Sequence, residues 1–293
     1  MNKIVRILPG IFLSLLSLSS CDGLFTEDCI YKGYLHARNG FHHPSDMGTP
    51  EQAEMNLMVF PLTGNGVAEY DNLSIPFNGS GDAYGTLHIG SYEFLACNKD
   101  VNILEDAGSA ATVRLRVPTE QGKITAEQGY AYSSSVTGTV MTDDTLHVTA
   151  PMRQYVRRLD IELTATEGDY SRVQSATATL SGVASAADMA TGDRSVAAQV
   201  TNAFRQDDNK FTIFFRLLGI VPTETHTLTV DITFNNGDTQ RVVSDLTEAM
   251  RDFNNGAEPM KLTGNLLLPV EAEVTGATIT GWNEVESGNG DAN

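Results

Sequence analysis

The chain is poor in cysteine, in basic residues and in long apolar runs, and each shortage removes a class of explanation. Three cysteines in 293 residues are too few for a disulfide-built scaffold. Nineteen lysines and arginines stand against 37 aspartates and glutamates, a formal net charge of −18. So acidic a surface repels nucleic acid, and no nucleic-acid partner is expected. Catalytic signatures are missing as well: there is no G-x-S-x-G elbow, no H-E-x-x-H and no glycine-rich phosphate loop ahead of a helix. The paired carboxylates Asp143-Asp144 and Asp207-Asp208 sit in polar turns. Neighbours in an extended chain point to opposite faces, a poor layout for a shared acid–base pair. Neither catalytic nor cofactor-binding residues are expected.

What is present begins at the N-terminus. Lys3 and Arg6 precede an apolar run from Ile7, no acidic residue occurs before Asp22, and the run ends in Leu18-Ser19-Ser20-Cys21. A basic start, an apolar middle and small residues before a cut make a secretory signal. The run falls short of the ~20 residues that span a bilayer. Small residues leading directly into a cysteine make it a lipoprotein signal peptide, residues 1–20. The Cys21 thiol is then acylated, as by palmitate, and anchors the exported chain to a lipid bilayer without spanning it. Residues 21–30 form a short acidic linker. The remaining cysteines, Cys29 and Cys97, can pair in an oxidising compartment. Cys97, just after the strand-like Tyr92–Ala96, reads equally as a buried free thiol.

Beyond the linker the pattern is β. Residues 31–50 start as a strand and become a polar loop punctuated by Gly40 and Pro44. That loop reading includes His36, His42 and His43, with Asp46 and Glu51 nearby. Their spacing fits no zinc-ligand pattern, so solvated histidines and no metal site are expected. Leu73–Phe77 alternates and carries Pro76, an edge-strand or strand-end signal. Tyr84–Ile89 and Tyr92–Ala96 flank Gly90-Ser91, which reads as a two-residue hairpin. Val113, Leu115 and Val117 alternate with Arg114 and Arg116, and Leu146–Thr149 follows as a further strand. In the second half Leu159, Ile161 and Leu163 share one face, Val183–Ser195 reads as loop, and Phe211–Leu218 reads as a strand buried on both faces. Asn236-Gly237 is the strongest hairpin signal. A helix is expected over Asp245–Asn254, with Leu246, Met250 and Phe253 on one face and Gly256 as its stop. Trp282 is expected to pin the last strand. The sum is an all-β chain of two Greek-key β-sandwiches in tandem, residues 31–151 and 152–283, with one short helix in the second and a polar tail at 284–293.

The layout resembles the fimbrillin-like lipoproteins of the Bacteroidetes, which include pilus anchor and minor subunits and related outer-membrane lipoproteins. Leu18-Ser-Ser-Cys21, Asp28-Cys29, Leu87-His-Ile-Gly-Ser-Tyr92, Leu95-Ala-Cys-Asn98, Ala178-Thr-Leu-Ser-Gly182, Asp245-Leu-Thr247 and Ile279-Thr-Gly-Trp282 carry the likeness in order. The resemblance implies transthyretin-like sandwiches, exposure on the outer face of the outer membrane, and a part in a pilus whose subunits join by β-strand addition. It also implies a processing question, since stalk subunits of this kind are cut after an early arginine. Arg38 is the only arginine between Cys21 and Arg114, in what reads as a loop before Asn39-Gly40. An uncleaved anchor or accessory subunit acting in adhesion is the favoured expectation. The alternative is a monomeric surface lipoprotein binding glycan or host protein, with Tyr130 and Tyr132 as its aromatic contacts unless they are ordinary strand residues.

Overall fold

Alternation of buried and exposed side chains sets the strands. The protein was described from a computed structural model covering residues 32–41, 54–62, 73–98, 104–105, 108–269 and 276–285. Among these residues there are twenty strands and no α-helix. The first eleven are β1 (Lys32–Phe41), β2 (Met55–Pro61), β3 (Leu73–Pro76), β4 (Asp82–His88), β5 (Gly90–Asn98), β6 (Leu104–Glu105), β7 (Arg114–Arg116), β8 (Thr119–Glu120), β9 (Lys123–Ile124), β10 (Tyr132–Val140) and β11 (Thr145–Gln154). The others are β12 (Arg157–Glu167), β13 (Val173–Asp188), β14 (Arg194–Ala203), β15 (Arg205–Asp207), β16 (Lys210–Leu217), β17 (Thr227–Phe234), β18 (Thr239–Asp245), β19 (Met260–Leu267) and β20 (Thr278–Val285).

Seven strands form one sheet in the order β3-β2-β5-β10-β11-β1-β4. Its middle join is narrow, because β10 meets β11 only at Tyr132↔Gln154 and Ser133↔Arg153. The sheet folds back there, and its two halves enclose one core that includes Leu35, Leu57, Phe94, Tyr132 and Val148. In the second half a five-stranded sheet, β15-β16-β12-β19-β20, packs against an eight-stranded sheet built on β18-β17-β13-β14-β9-β8. Leu159, Ile161, Leu163, Phe211 and Phe215 fill the space between them. A third cluster joins the halves, bringing Phe60, Leu95 and Cys97 against Val113, Leu115, Ala187 and Leu218.

Several expectations hold. Leu73–Pro76 is an edge strand, and β17 and β18 form the hairpin around Asn236-Gly237. Gly237 takes φ 87° there, a left-handed conformation that glycine adopts without penalty. Asp143 and Asp208 also have positive φ, as turn residues. Trp282 on β20 is half-buried against the second core and donates from Nε1 to Ser244 Oγ at 2.7 Å.

Others need correction. Gly90-Ser91 is no hairpin: β4 pairs with β1, whereas β5 pairs with β2 and β10. The chain crosses between layers instead, driven by burial of Leu87 and Tyr92 on either side, and Tyr92 Oη donates to the His88 carbonyl at 2.9 Å. Val183–Ser195 is largely strand, because Ala184, Ser185, Ala186 and Ala187 are small enough to lie buried where β13 runs on to meet β7. Phe211–Leu218 buries one face along β16, since Phe214 is 39% exposed beneath the Arg158 guanidinium. The expected helix is a run of turns closing in a 3-10 turn at Phe253–Asn255. Leu246, Met250 and Phe253 are fully buried as anticipated. Ten residues are too few for a helix to persist without tertiary help, and here tertiary bonds favour the turns: Asn254 binds both the N–H and the carbonyl of Ile220, at 2.9 and 2.8 Å.

Candidate functional site on the first strand

Strand β1 lies between two neighbours, parallel to β11 and antiparallel to β4. Its inward residues Leu35 and Ala37 are buried in the first core. Its entry is fixed by backbone: Tyr34 N–H donates to the Asp144 carbonyl at 2.8 Å, and Asp143 N–H to the Lys32 carbonyl at 3.1 Å. Only glycine fits at position 33, where a Cβ would collide with the Met141 carbonyl oxygen. The strand is therefore an integral part of the sandwich.

This placement corrects the reading of Arg38 as a loop residue. Arg38 is paired with Thr149 on one side and Asp82 on the other. The loop reading rested on Gly40, but β1 continues through it to Phe41, since pairing on both sides outweighs one glycine's low strand propensity. Arg38 Nε donates to Asp82 Oδ1 at 2.9 Å, and His36 Nε2 lies 2.9 Å from the same oxygen. The Arg38 hydrogen bond, followed by that of His36, holds the Asp82 carboxyl below its usual pKa. The Arg38 pKa is raised in turn.

Period two puts Tyr34, His36 and Arg38 on the outer face, and register supplies their companions: Thr86, Tyr84 and Asp82 from β4, Thr145, His147 and Thr149 from β11. Tyr84 and His36 stack face to face with centroids 4.7 Å apart and planes 10° apart. His147 meets His36 edge-on, with the two Nδ1 atoms 3.2 Å apart. Tyr34 and Tyr84 are 53% and 62% exposed, which makes this an aromatic shelf open to solvent.

Sequence reasoning located His36 and Arg38 but grouped them with loop histidines. His42, His43, Asp46 and Glu51 lie outside the described residues, as do Cys21 and Cys29. Asp82, Tyr84 and His147 were missed; alternation marks them as outward, but only strand pairing brings them to His36. The aromatic pair Tyr130 and Tyr132 is packed inward rather than presented to solvent. Tyr132 is 1% exposed in the first core, and Tyr130 is half-buried with its hydroxyl donating to Glu54 at 2.8 Å. Cys97 is a buried free thiol whose pKa burial pushes up to about 12, so it stays protonated and unreactive near neutrality. Among the described residues no group of three or more His, Cys, Asp or Glu side chains gathers as a metal cluster. Nor, among them, is any helix long and apolar enough to cross a membrane.

The fold, rather than this side-chain cluster, is shared with known proteins. The fold is similar to that of a candidate adhesin from Bacteroides ovatus, with TM-score 0.60 and 12% identity over 87% of this chain and 96% of that one. It is similar to the fimbrial anchor protein Mfa2 from Porphyromonas gingivalis, with TM-score 0.55 and 14% identity over 86% and 97%. A candidate polysaccharide-binding protein from Bacteroides thetaiotaomicron gives TM-score 0.54 and 12% identity over 87% and 99%. No curated protein matches at a significant level. The family model described as fimbrillin-A associated anchor proteins Mfa1 and Mfa2 matches residues 44–288, and the chain belongs to that family, a pilus-associated family of the cell surface.

Proposed function

We propose that this protein is a lipid-anchored anchor or accessory subunit of a strand-complemented pilus, held at the outer membrane through acylated Cys21 and acting in adhesion. Two tandem sandwiches, residues 31–151 and 152–283, with the β7–β9 segment of residues 114–124 crossing into the sheet of the second, would carry the load between lipid and fibre. The observation that carries the reading is the placement of β1. A stalk subunit must give up its first strand to open a groove for the next subunit's strand. Here β1 is paired on both sides, its inward side chains are buried, and Arg38 is tied to Asp82. A protease that needs an extended, unpaired segment finds none at Arg38. An uncut β1 keeps the fold continuous with its anchor and ends the fibre at the membrane. Partner subunits then join at other exposed backbone edges.

The alternative of a monomeric glycan or host-protein binder rested on Tyr130 and Tyr132, and the burial of Tyr132 removes its support. The test is to take the native protein from outer-membrane fractions and run it unboiled on SDS gels. A high-mass ladder that collapses on boiling, with an N-terminal peptide beginning at acylated Cys21, is the expected result. A lone monomer band refutes pilus membership, and an N-terminus at Asn39 makes the protein a stalk subunit. Cys21→Ala should move the protein out of the membrane fraction.

A further inference from the structure

The outer face of β1 holds more chemistry than a strand clamp needs. His36 and His147 are register partners on adjacent parallel strands, 111 residues apart in sequence. His36 is held from two sides, by the Tyr84 ring against its face and by Asp82 at Nε2. If Nε2 carries the proton facing Asp82, the Nδ1 lone pair faces His147 Nδ1 and accepts its proton in a hydrogen bond. His147 is exposed, so its ring can turn about the Cβ–Cγ bond.

We propose that His36 and His147 form an open two-nitrogen site for a borderline divalent transition metal of the zinc, nickel or copper class. The geometry points to it directly. Two nitrogens bound at 2.0–2.1 Å to a tetrahedral ion stand about 3.3 Å apart, and the two Nδ1 atoms are already 3.2 Å apart. A carboxylate on the remote nitrogen of a ligating histidine fixes its tautomer and raises its basicity; Asp82 occupies that place on His36. Both ligands stand on paired strands rather than loops, which limits the reorganisation that binding requires. Imidazole donors suit this class of metal, and a chain with net charge −18 draws cations to its surface.

No net proton is released in the step. The proton shared between the rings sits on His147 Nδ1 and moves to its solvent-exposed Nε2. Each Nδ1 lone pair then forms one bond to the metal and displaces one water from it. The remaining coordination positions face solvent and keep their waters.

The test uses the untagged full chain in detergent, stripped with EDTA and titrated calorimetrically with zinc, nickel or copper chloride. One ion per chain should bind. Binding should vanish in His36→Ala and in His147→Ala, weaken about 10–100-fold in Asp82→Asn, and persist in a His42→Ala/His43→Ala double variant. His147→Gln, which keeps a polar side chain at an exposed strand position, controls for folding by circular dichroism and should also abolish binding. Copper-loaded protein should show two nitrogens in its electron paramagnetic resonance spectrum. No binding by the parent chain, binding that survives either single histidine variant, or loss in the double variant would each overturn the two-nitrogen site.

Discussion

Strands β1 and β12 have matching kinds of neighbour in the two halves of the molecule, and their outer faces differ in chemistry. Each is the first strand of its half and lies between a parallel and an antiparallel neighbour: β11 and β4 for β1, β19 and β16 for β12. Each buries alternate apolar residues, Leu35 and Ala37 in one case, Leu159, Ile161 and Leu163 in the other. Outside, β12 carries Arg158, Asp160 and Glu162, which form ordinary ion pairs at 2.7 Å within the strand and 2.6 Å to Lys210. On β1 the matching positions hold Tyr34, His36 and Arg38, gathered with Tyr84, Asp82 and His147. The frame is thus set by the inward half of each strand, and the outward half is left to vary in chemistry.

That division can be broken most severely from inside. Leu35→Ala and Ile161→Ala each remove a buried aliphatic side chain and should each cost about 2–5 kcal/mol. In urea, Leu35→Ala should shift the far-ultraviolet transition while leaving the Trp282 fluorescence transition in place, and Ile161→Ala should move the fluorescence. Identical shifts by both probes in both variants would mean that the shared third cluster couples the halves into one unfolding unit. A smaller effect is expected at the entrance to β1. Gly33→Ala forces a Cβ against the Met141 carbonyl and should cost about 1–3 kcal/mol by thermal melting; an unchanged melting temperature would show that the Met141–Asp144 turn does not fix the strand.

The smallest effect should come from the outer face. Asp82 has its pKa lowered in the folded protein, so its bonds to Arg38 and His36 stabilise the fold above the ordinary carboxylate value of about 3.9. That contribution is lost as pH falls through the folded-state value. Asp82→Asn should therefore be less stable than the parent at neutral pH, and the gap should close below about pH 4. A gap that stays constant into acid would mean that the carboxylate charge plays no part. Because the Arg38 side chain is 62% exposed, solvent screens the pair and the neutral-pH difference should be modest.

Period-two alternation made most strands legible, because a side chain's face follows from its position alone. Leu159, Ile161 and Leu163, Val113 and Leu115, and the Asn236-Gly237 hairpin could be assigned without reference to anything distant. Where the reading failed, a distant contact decided the outcome. Small residues at Ala184–Ala187 look like loop until β7 and the third cluster cover them. The segment around Met250 has helical spacing, yet bonds from Asn254 to Ile220 hold it as turns. Gly90-Ser91 has hairpin chemistry, but burial of Leu87 and Tyr92 sends the two strands to different layers.

The amino-acid sequence by itself determined the all-β class and the faces of most strands, since each depends on residues close together in the chain. The pairing of strands was decided only in three dimensions. Arg38 became a clamped strand residue because β11 and β4 close on it, and His36 met His147 because two strands 111 residues apart lie parallel and in register. Alternation states which way a side chain points; it cannot state what stands beside it, because that neighbour is chosen by the free energy of closing the whole core.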